Sequence, residues 1–297
     1  MKHASLGKLI LVTLVLFLTV PRLASAAESY DNCTGFITSL PAVVTTQGTW
    51  CLKKDLSTAM TSGSAIDIQT NNVTIDCNDF KLGGLAAGVA TETYGMYADN
   101  RHNIVVRHCN IRGFLYGINF WGIQGGGHVV EDNKFDGNTY IGLRVSGNGS
   151  TVRRNAVSDT GGSTAASAGG GAVGIFVQYA VDIIDNTVSG VAATAGTNAN
   201  AVAISMFHSY SNNAGGNTVS GNRVRGLSGA GTGVSEGFSS YAAPRIILRN
   251  NDFVGDSSAG STGIDCYAND SHAKDNVING FVTGIVVCSD DGNVISP

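Results

Sequence analysis

The chain has 297 residues, a formal net charge of −4 and a sequence pI of about 5.8. Charged residues make up only 13%, 43% of the residues are hydrophobic, and there are 40 glycines but 4 prolines. This apolar, charge-poor composition excludes a disordered chain, and the scarcity of proline excludes collagen. The acidic pI and the lack of a basic run argue against nucleic acid as a partner.

The first 26 residues have the features of a secretory signal peptide. Lys2, His3 and Lys8 precede an apolar run over residues 9–20, and Ala24-Ser25-Ala26 follows. A charged start, a short apolar segment and a small-residue exit predict cleavage after residue 26. The run is shorter than the roughly 20 residues that a membrane span needs, and no later run is longer. We therefore expect a secreted or periplasmic protein with no transmembrane segment.

A five-residue unit recurs along the chain: Asn, any residue, an aliphatic residue or Phe, any residue, and then Gly. Copies begin at Asn133, Asn186, Asn222, Asn251 and Asn276, with a variant at Asn155 and a copy in which Cys109 takes the Asn position. Each repeat also contains a short segment, here called the Gly strand, that usually has the form Gly-aliphatic-x-aliphatic, such as Gly142-Leu-Arg-Val145. In two copies, Ala65-Ile-Asp-Ile68 and Ala203-Ile-Ser-Met206, Ala takes the place of the Gly. Period-2 alternation in such short segments predicts β-strands, and repeats 22 to 36 residues apart predict a stacked array. A hairpin sandwich fits less well because Asn-Gly turns are rare, and a β-propeller needs four strands and about 40 residues per blade.

The repeats resemble the right-handed parallel β-helices of the pectin-lyase-like superfamily. The likeness covers residues 49–290 and includes Asn72-Val-Thr-Ile-Asp-Cys-Asn78. It implies an all-β fold, a right-handed single-stranded parallel β-helix of about eight to nine coils. In this interpretation residues 27–64 form an N-terminal cap and residues 65–297 the solenoid. The superfamily includes polysaccharide lyases, hydrolases, epimerases, phage tailspikes and adhesins, so the likeness specifies the fold and leaves the activity open. We expect no cofactor and no metal.

The even number of cysteines in an exported chain favours disulfides. All six follow the predicted signal peptide: Cys33, Cys51, Cys77, Cys109, Cys266 and Cys288. Stacked coils align Cys77 with Cys109, so we expect a bridge between them. Cys33 and Cys51 lie outside the regular repeat and are expected to staple the cap. Cys266 and Cys288 lie one coil apart with an offset of one position, and they form the third expected pair.

The Gly strands also predict a surface. Counted from the Gly, positions +1 and +3 are aliphatic and should face the core, whereas +2 and +4 should face outward. The +2 column contains Asp67, Tyr97, Asn119, Arg144, Phe176, Ser205, Ser239 and Asp265, and the +4 column contains Gln69, Asp99, Trp121, Ser146, Gln178, Phe207, Tyr241 and Tyr267. In the resembled enzymes this sheet lines the saccharide cleft, where aromatic faces stack on sugar rings and polar groups bond to hydroxyl or uronate groups. The expected substrate-binding residues are Tyr97, Asn119, Trp121, Phe176, Gln178, Phe207, Tyr241, Asp265 and Tyr267.

Two alternatives to a saccharide groove remain open for these aromatic columns. The long turns over residues 159–172, 191–202 and 227–236 precede several of these strands, so they could fold over the rings and form a satellite core. The rings could also contact another protein.

The catalytic candidates are Asp67, Asp99 and Arg144. An inverting glycosidase uses two carboxylates ~6.5–9.5 Å apart, and strand geometry puts Asp67 and Asp99 at ~8 Å. A lyase of the resembled kind would use Arg or Lys as its base, and Arg144 is the only basic residue in the two columns. We therefore expect an exported protein that binds a polysaccharide along the Gly strands and is a candidate to cleave it. The alternative is a non-enzymatic structural or adhesive solenoid of the envelope or extracellular matrix. The sequence leaves the oligomeric state open.

Overall fold

The protein folds as a parallel β-helix in which each regular coil contributes one strand to each of three sheets. The computed structural model describes residues 30–194, 199–208, 216–267 and 270–297. Two single turns of 3-10 helix, Leu85–Ala87 and Ala166–Ala168, lie in loops. None of the helical segments in the described ranges has the length and hydropathy of a membrane span.

The three sheets are named in the order in which a coil visits them. The first sheet consists of Gly35–Ile37, Gly48–Leu52, Val73–Asp76, Ile104–Arg107, Val129–Glu131, Ser150–Arg153, Val181–Ile184, Thr218–Ser220, Ile247–Arg249, His272–Lys274 and Ser289–Asp291. The second sheet consists of Leu56–Ser57, Lys81–Gly83, Asn110–Arg112, Lys134–Asp136, Ala156–Gly161, Thr187–Ala192, Arg223–Ser228, Asp252–Val254, Val277–Asn279 and Val294–Ser296. The third, here called the Gly-strand sheet, consists of Ala42–Val44, Ser62–Ile68, Glu92–Asp99, Tyr116–Trp121, Ile141–Ser146, Ala172–Gln178, Ala201–Phe207, Ser235–Tyr241, Thr262–Asp265 and Thr283–Val286.

The solenoid is longer than the eight to nine coils expected from the sequence, because the sheets have 11, 10 and 10 strands. The additional strands come from the segment expected to be a cap. Trp50 pairs with Ile75, and Leu56 pairs with Leu82, so this segment continues the same ladders. These strands lack the Asn and Gly motifs by which the later repeats are recognised, and only their hydrogen bonding reveals them.

Aliphatic side chains fill the space enclosed by the sheets. In the Gly-strand sheet, Ile118 and Phe120 at positions +1 and +3 are at most 1% exposed, as are Leu143 and Val145 one coil later. This confirms the alternation predicted from the sequence. The repeated short strands fold in this way because each buries every second side chain and bonds its backbone to the neighbouring coils.

Close stacking of the coils explains the Gly at the start of each Gly strand. A Cβ on Gly117 would lie 2.4 Å from the carbonyl oxygen of Gly142, and a Cβ on Gly142 would lie 2.5 Å from that of Gly174. A side chain would clash at such distances, so glycine recurs in most coils of this column, with Ala65 and Ala203 as the exceptions.

A ladder of buried asparagines follows the corner between the first and second sheets. Each Asn donates from Nδ2 to Oδ1 of the next at 2.8–3.0 Å, along the series Asn133, Asn155, Asn186, Asn222, Asn251, Asn276 and Asn293. Asn often adopts the left-handed backbone of a turn, but the ladder asparagines do not have it. The preceding residues have that conformation, such as Asp132 and Asp185 with φ of 56° and 55°. The motif therefore recurs because the Asn side chain, and not its backbone angle, completes the hydrogen bonding of the corner.

All three expected disulfides are present. The Cα–Cα distances are 5.8 Å for Cys33–Cys51, 4.7 Å for Cys77–Cys109 and 5.3 Å for Cys266–Cys288. The backbone N–H of Cys109 donates to Oδ1 of Asn133 at 3.0 Å. The asparagine ladder therefore ends, at its N-terminal side, on the coil that carries this disulfide.

Candidate functional site

The outward residues of the Gly-strand sheet form the columns expected from the sequence. The ladder pairs, in order, Asp67, Tyr97, Asn119, Arg144, Phe176, Ser205, Ser239 and Asp265. In the +4 column it pairs Asp99 with Trp121, and it pairs Ser146, Gln178, Phe207 and Tyr241 in sequence. Residues that are distant in the chain thus lie ~4.8 Å apart on one face.

Aromatic rings are exposed along the +4 column. Trp121, Tyr241 and Tyr267 are 45%, 50% and 48% exposed. The rings of Phe207 and Tyr241 are stacked with centroids 5.6 Å apart and planes 3° apart, and Tyr267 lies 5.2 Å beyond Tyr241. Such a row of flat apolar faces can stack against sugar rings.

A pocket of about 320 Å³ opens between Trp121 and Phe207. The turn after Trp121 also contributes to its wall. Its lining consists of Asn100, Trp121, Gly122, Ile123, Gln124, Gln178, Tyr179 and Phe207. Aromatic walls with amide groups between them are the usual lining of a small-molecule site, and the volume is at the lower end of the range for such sites.

Gln178 and Ser146 are buried, although their positions alternate outward. The Gln178 Oε1 atom accepts hydrogen bonds from Ser146 Oγ at 3.0 Å and from Arg144 Nη2 at 2.7 Å. The Gln178 side chain therefore lies across the sheet and forms a polar floor between the two aromatic walls.

Arg144 lies beside this pocket, between two aromatic rings. Its guanidinium carbon is 3.7 Å from the ring centroid of Trp121 and 5.0 Å from that of Phe176. Burial lowers the pKa of Arg144 to about 10, while the nearby Tyr116 hydroxyl, which accepts a hydrogen bond from it, acts in the opposite direction. Burial likewise raises the pKa of Tyr116 to about 12. Arg144 thus remains a cation at neutral pH, which suits binding of an anion better than removal of a proton.

The column immediately before the Gly also faces outward, and sequence reasoning missed it. Tyr116 and Ile118 each pair with residues in the two neighbouring coils, but Gly117, which lies between them, has no place in the register of paired residues. Side chains three positions apart therefore share a face, and Tyr94 stacks on Tyr97 with centroids 5.5 Å apart. A Gly inside a short strand is the sequence signal for this break in alternation.

The turn over residues 159–172 covers part of this additional column. Ser167 Oγ donates to Glu92 at 2.7 Å, and Ala165 and Ala168 pack into a small cluster with the neighbouring tyrosines. The rings packed against this cluster are those of Tyr94 and Tyr116 in the column, and that of Tyr140, which precedes the column residue Ile141. The satellite core considered from the sequence therefore exists, but it leaves the rings of Trp121, Tyr241 and Tyr267 exposed. Of the 191–202 turn, residues 195–198 lie outside the described residues.

Of the catalytic candidates, Asp67 pairs with Tyr97 across the ladder, and Asp99 follows Tyr97 by two residues on the same strand. Asp67 accepts a hydrogen bond from Gln69 at 2.7 Å, and Asp99 accepts one from Asn100 at 2.9 Å. Burial raises the pKa of Tyr97, and the two carboxylates add to the effect, with that of Asp99 the larger. The arrangement brings two carboxylates to the same end of the face, as the sequence predicted.

A second pair of acidic residues lies at the opposite end of the face. Glu236 is in the column before the Gly, and Asp265 is in the +2 column of the next coil. Burial raises the pKa of both carboxyl groups, and the charge of Asp265 also raises that of Glu236. Glu236 was not identified from the sequence because its column was not recognised as outward.

A larger groove of about 550 Å³ lies on the second sheet. Its lining includes charged residues that pair with each other, with Lys81 3.2 Å from Asp55 and Arg112 3.0 Å from Asp136. No aromatic residue lines it. The smaller pocket at Trp121 is therefore the better candidate for a saccharide.

Comparison with known proteins agrees with this architecture. Residues 43–204 match the family described as the right handed beta helix region. The chain belongs to this right-handed β-helix family. No curated protein matches this β-helix protein significantly.

Solved structures with a similar fold share little sequence with this β-helix protein. The Agl-KA catalytic domain has 11% identity and a TM-score of 0.46, with 88% of this chain and 61% of that chain covered. The A-module of the Azotobacter vinelandii mannuronan C-5 epimerase AlgE4 has 12% identity and a TM-score of 0.43, covering 85% and 80%. A mutant tailspike protein of E. coli bacteriophage HK620, in complex with a hexasaccharide, has 12% identity and a TM-score of 0.45, covering 88% and 54%. This chain thus spans less than two thirds of the length of the first and third of these proteins.

Proposed function

We propose that this β-helix protein is exported and binds a polysaccharide along its Gly-strand sheet. The observation that carries the proposal is the pocket between Trp121 and Phe207, continued by the exposed rings of Tyr241 and Tyr267. Large exposed rings in line on a regular sheet mark a candidate binding surface, and flat sugar rings suit stacking on such rings. The three disulfides support export, because such bonds persist in oxidising compartments.

Removal of two exposed rings tests the binding proposal. The Trp121→Ala, Tyr241→Ala double variant should bind at least about tenfold more weakly to any polysaccharide that the wild type retains, because anchoring aromatic residues dominate such contacts. Affinity gel electrophoresis against a panel of neutral and acidic polysaccharides measures the change. Ile247→Ala is the matched control, since Ile247 is 44% exposed but lies on the first sheet. Equal retention of the double variant and the control would contradict the proposal.

For cleavage of the bound polysaccharide, Asp67 and Asp99 are the proposed carboxylates. Their estimated separation fits an inverting hydrolysis, in which one carboxyl group protonates the leaving oxygen and the other activates water. Incubation of the protein with the same panel should then give new reducing ends, and Asp67→Asn should abolish them while leaving retention on the gel intact. Undiminished hydrolysis by Asp67→Asn would exclude this pair.

The second candidate function is a structural or adhesive solenoid without enzymatic activity. The low charge of the chain and the turn that seals the tyrosine cluster favour it, since both stabilise the coil without serving a ligand. The two candidates differ in one measurement. A structural solenoid should show no retention on any polysaccharide of the panel, with or without Trp121.

A further inference from the structure

Beside the pocket at Trp121 lies a cation whose charge is not neutralised by a described carboxylate of the protein. Arg144 is half-buried, and its described partners are the amide oxygen of Gln178, the hydroxyl of Tyr116 and two aromatic faces. Among the described residues no carboxylate forms an ion pair with it. The internal stretches outside the described residues, 195–198, 209–215 and 268–269, contain no Asp or Glu in their sequence.

An uncompensated cation in such a place is unfavourable for the folded protein alone. Removal of a guanidinium from water is offset only when an anion or enough hydrogen bonds replace the water. Burial lowers the pKa of Arg144 because the loss of water disfavours its charged form. In addition, its Nε atom is buried without a partner. A carboxylate on a ligand would supply the missing charge and could bond to the planar guanidinium through both of its oxygens.

The rest of the face carries the opposite charge. In the three outward columns of the Gly-strand sheet, all of which lie within the described ranges, Arg144 is the only basic residue. The acidic residues of the same columns are Asp67, Asp99, Glu236 and Asp265. The nearest of them are Asp99, two coils from Arg144, and Glu236, three coils away on the other side, which corresponds to at least about 10 Å and about 14 Å. These distances exceed the Debye length of ~8 Å at physiological salt, so each charge acts on the part of a ligand that lies beside it.

This charge pattern distinguishes between classes of acidic polysaccharide. A polymer with a carboxylate on every sugar would place negative groups against both acidic ends of the face, where like charges repel and oppose binding. A polymer with no carboxylate would leave Arg144 uncompensated. We propose, on the basis of the function proposed above, that the face binds a heteropolysaccharide in which a single acidic sugar is flanked by neutral sugars, with the acidic sugar at Arg144.

Deacylated gellan and depyruvylated xanthan test this inference, because both place a single glucuronate among neutral sugars through different linkages. Each is compared with its carboxyl-reduced form and with polygalacturonate, in which every sugar is charged. Binding to the wild-type protein should weaken about tenfold or more on carboxyl reduction, and polygalacturonate should bind more weakly than the native heteropolysaccharide. Equal binding of the native and reduced forms, or tighter binding of polygalacturonate, would overturn the inference and leave the proposed function intact. Absence of binding to any polysaccharide, neutral ones included, would overturn both.

Variants of Arg144 localise the effect. Arg144→Gln should remove the difference between native and carboxyl-reduced gellan, whereas Arg144→Lys should retain part of it. The fluorescence of Trp121, read in a Trp50→Phe background that leaves it the only tryptophan, should respond to native gellan because its ring lies against Arg144. Two results together would overturn the inference. The first is that a folded Arg144→Gln variant still prefers native gellan, and the second is that gellan does not change the fluorescence of Trp121 in the Trp50→Phe protein; the acidic sugar would then bind elsewhere.

Discussion

His128 is a buried histidine whose environment holds it in the neutral form. Its Nδ1 atom accepts a hydrogen bond from the backbone N–H of Ile104 at 3.3 Å, and its ring lies 5.2 Å from that of Phe120. Burial lowers the pKa of His128 from 6.5 to about 4, and the nearby His102 contributes in the same direction. A protonated Nδ1 would also lose its role as acceptor. Between pH 6.5 and about 4, His128 is therefore protonated in the unfolded chain but neutral in the folded protein.

This difference predicts a loss of stability in mild acid. The contribution of His128 is fully present above pH 6.5, where neither state is protonated, and is lost as the pH falls from 6.5 to about 4. The loss amounts to about 3 kcal/mol over that window. His128→Asn keeps an oxygen acceptor but cannot titrate, so the decrease in its unfolding free energy between pH 7 and pH 5 should be smaller than that of the wild type.

Urea unfolding followed by circular dichroism at the two pH values measures the effect. The exposed His272, in the strand His272–Lys274, provides the matched control, and His272→Asn should retain nearly the wild-type pH dependence. An undiminished acid loss in His128→Asn would show that other groups cause it.

The asparagine ladder is the element that holds successive coils in register at one corner. Asn186 illustrates its bonding. Its Oδ1 accepts from the backbone N–H and the Nδ2 of Asn155, and its Nδ2 donates to the Val152 carbonyl and to Oδ1 of Asn222. Because these groups are buried, water cannot replace the lost partners when the side chain is removed.

Asn186→Ala should therefore be strongly destabilising. Several buried donors and acceptors lose their partner, each at about 1–3 kcal/mol, which suggests a total of about 3–5 kcal/mol. Asn293→Ala is the matched control, because Asn293 occupies the same ladder on the last coil and is only half-buried. Its loss should cost about 1 kcal/mol or less, since water reaches the freed groups. Denaturant midpoints of the two variants measure the difference, and similar midpoints would refute a role for burial in the ladder.

For the strands and corners of the coil, the sequence shows which residues recur but not what each recurring residue contributes to the structure. The spacing of Asn133, Asn155 and Asn186 was enough to predict stacked coils, and the alternation in the Gly strands was enough to predict the core. The left-handed corner residue could not be found, because Asp, Arg, Gly and Asn all occupy it in different coils. Glu236 was missed because alternation was counted only forward from the Gly, whereas the ladder passes over the Gly and the residue before it also faces outward. Arg144 was recognised as the single cation of the face, but its contacts with Trp121 and Gln178 depend on side-chain packing, which the spacing of residues does not encode.

The molecule as a whole is a one-dimensional stack, so its stability is distributed coil by coil. Its disulfides lie towards the two ends. Cys77–Cys109 closes 32 residues and joins coils that have neighbours on both sides, whereas Cys266–Cys288 closes 22 residues and joins the last coils. By loop entropy alone the two bonds contribute similarly, about 3.7 and about 3.4 kcal/mol. We therefore expect the position of each disulfide in the stack to determine whether its removal loosens a few coils or destabilises the whole protein.

The double variant Cys266→Ala, Cys288→Ala should loosen the C-terminal coils without affecting the rest. The last coil packs on one side only, and its inward-facing Ile295 is already 44% exposed, so it can open locally. Hydrogen exchange should accelerate in residues 283–296 and remain unchanged in residues 104–146. The matched variant Cys77→Ala, Cys109→Ala should instead lower the global denaturant midpoint, because an interior coil cannot open without separating both neighbours. Exchange that rose equally along the chain in the C-terminal variant would show that the stack unfolds as one cooperative unit.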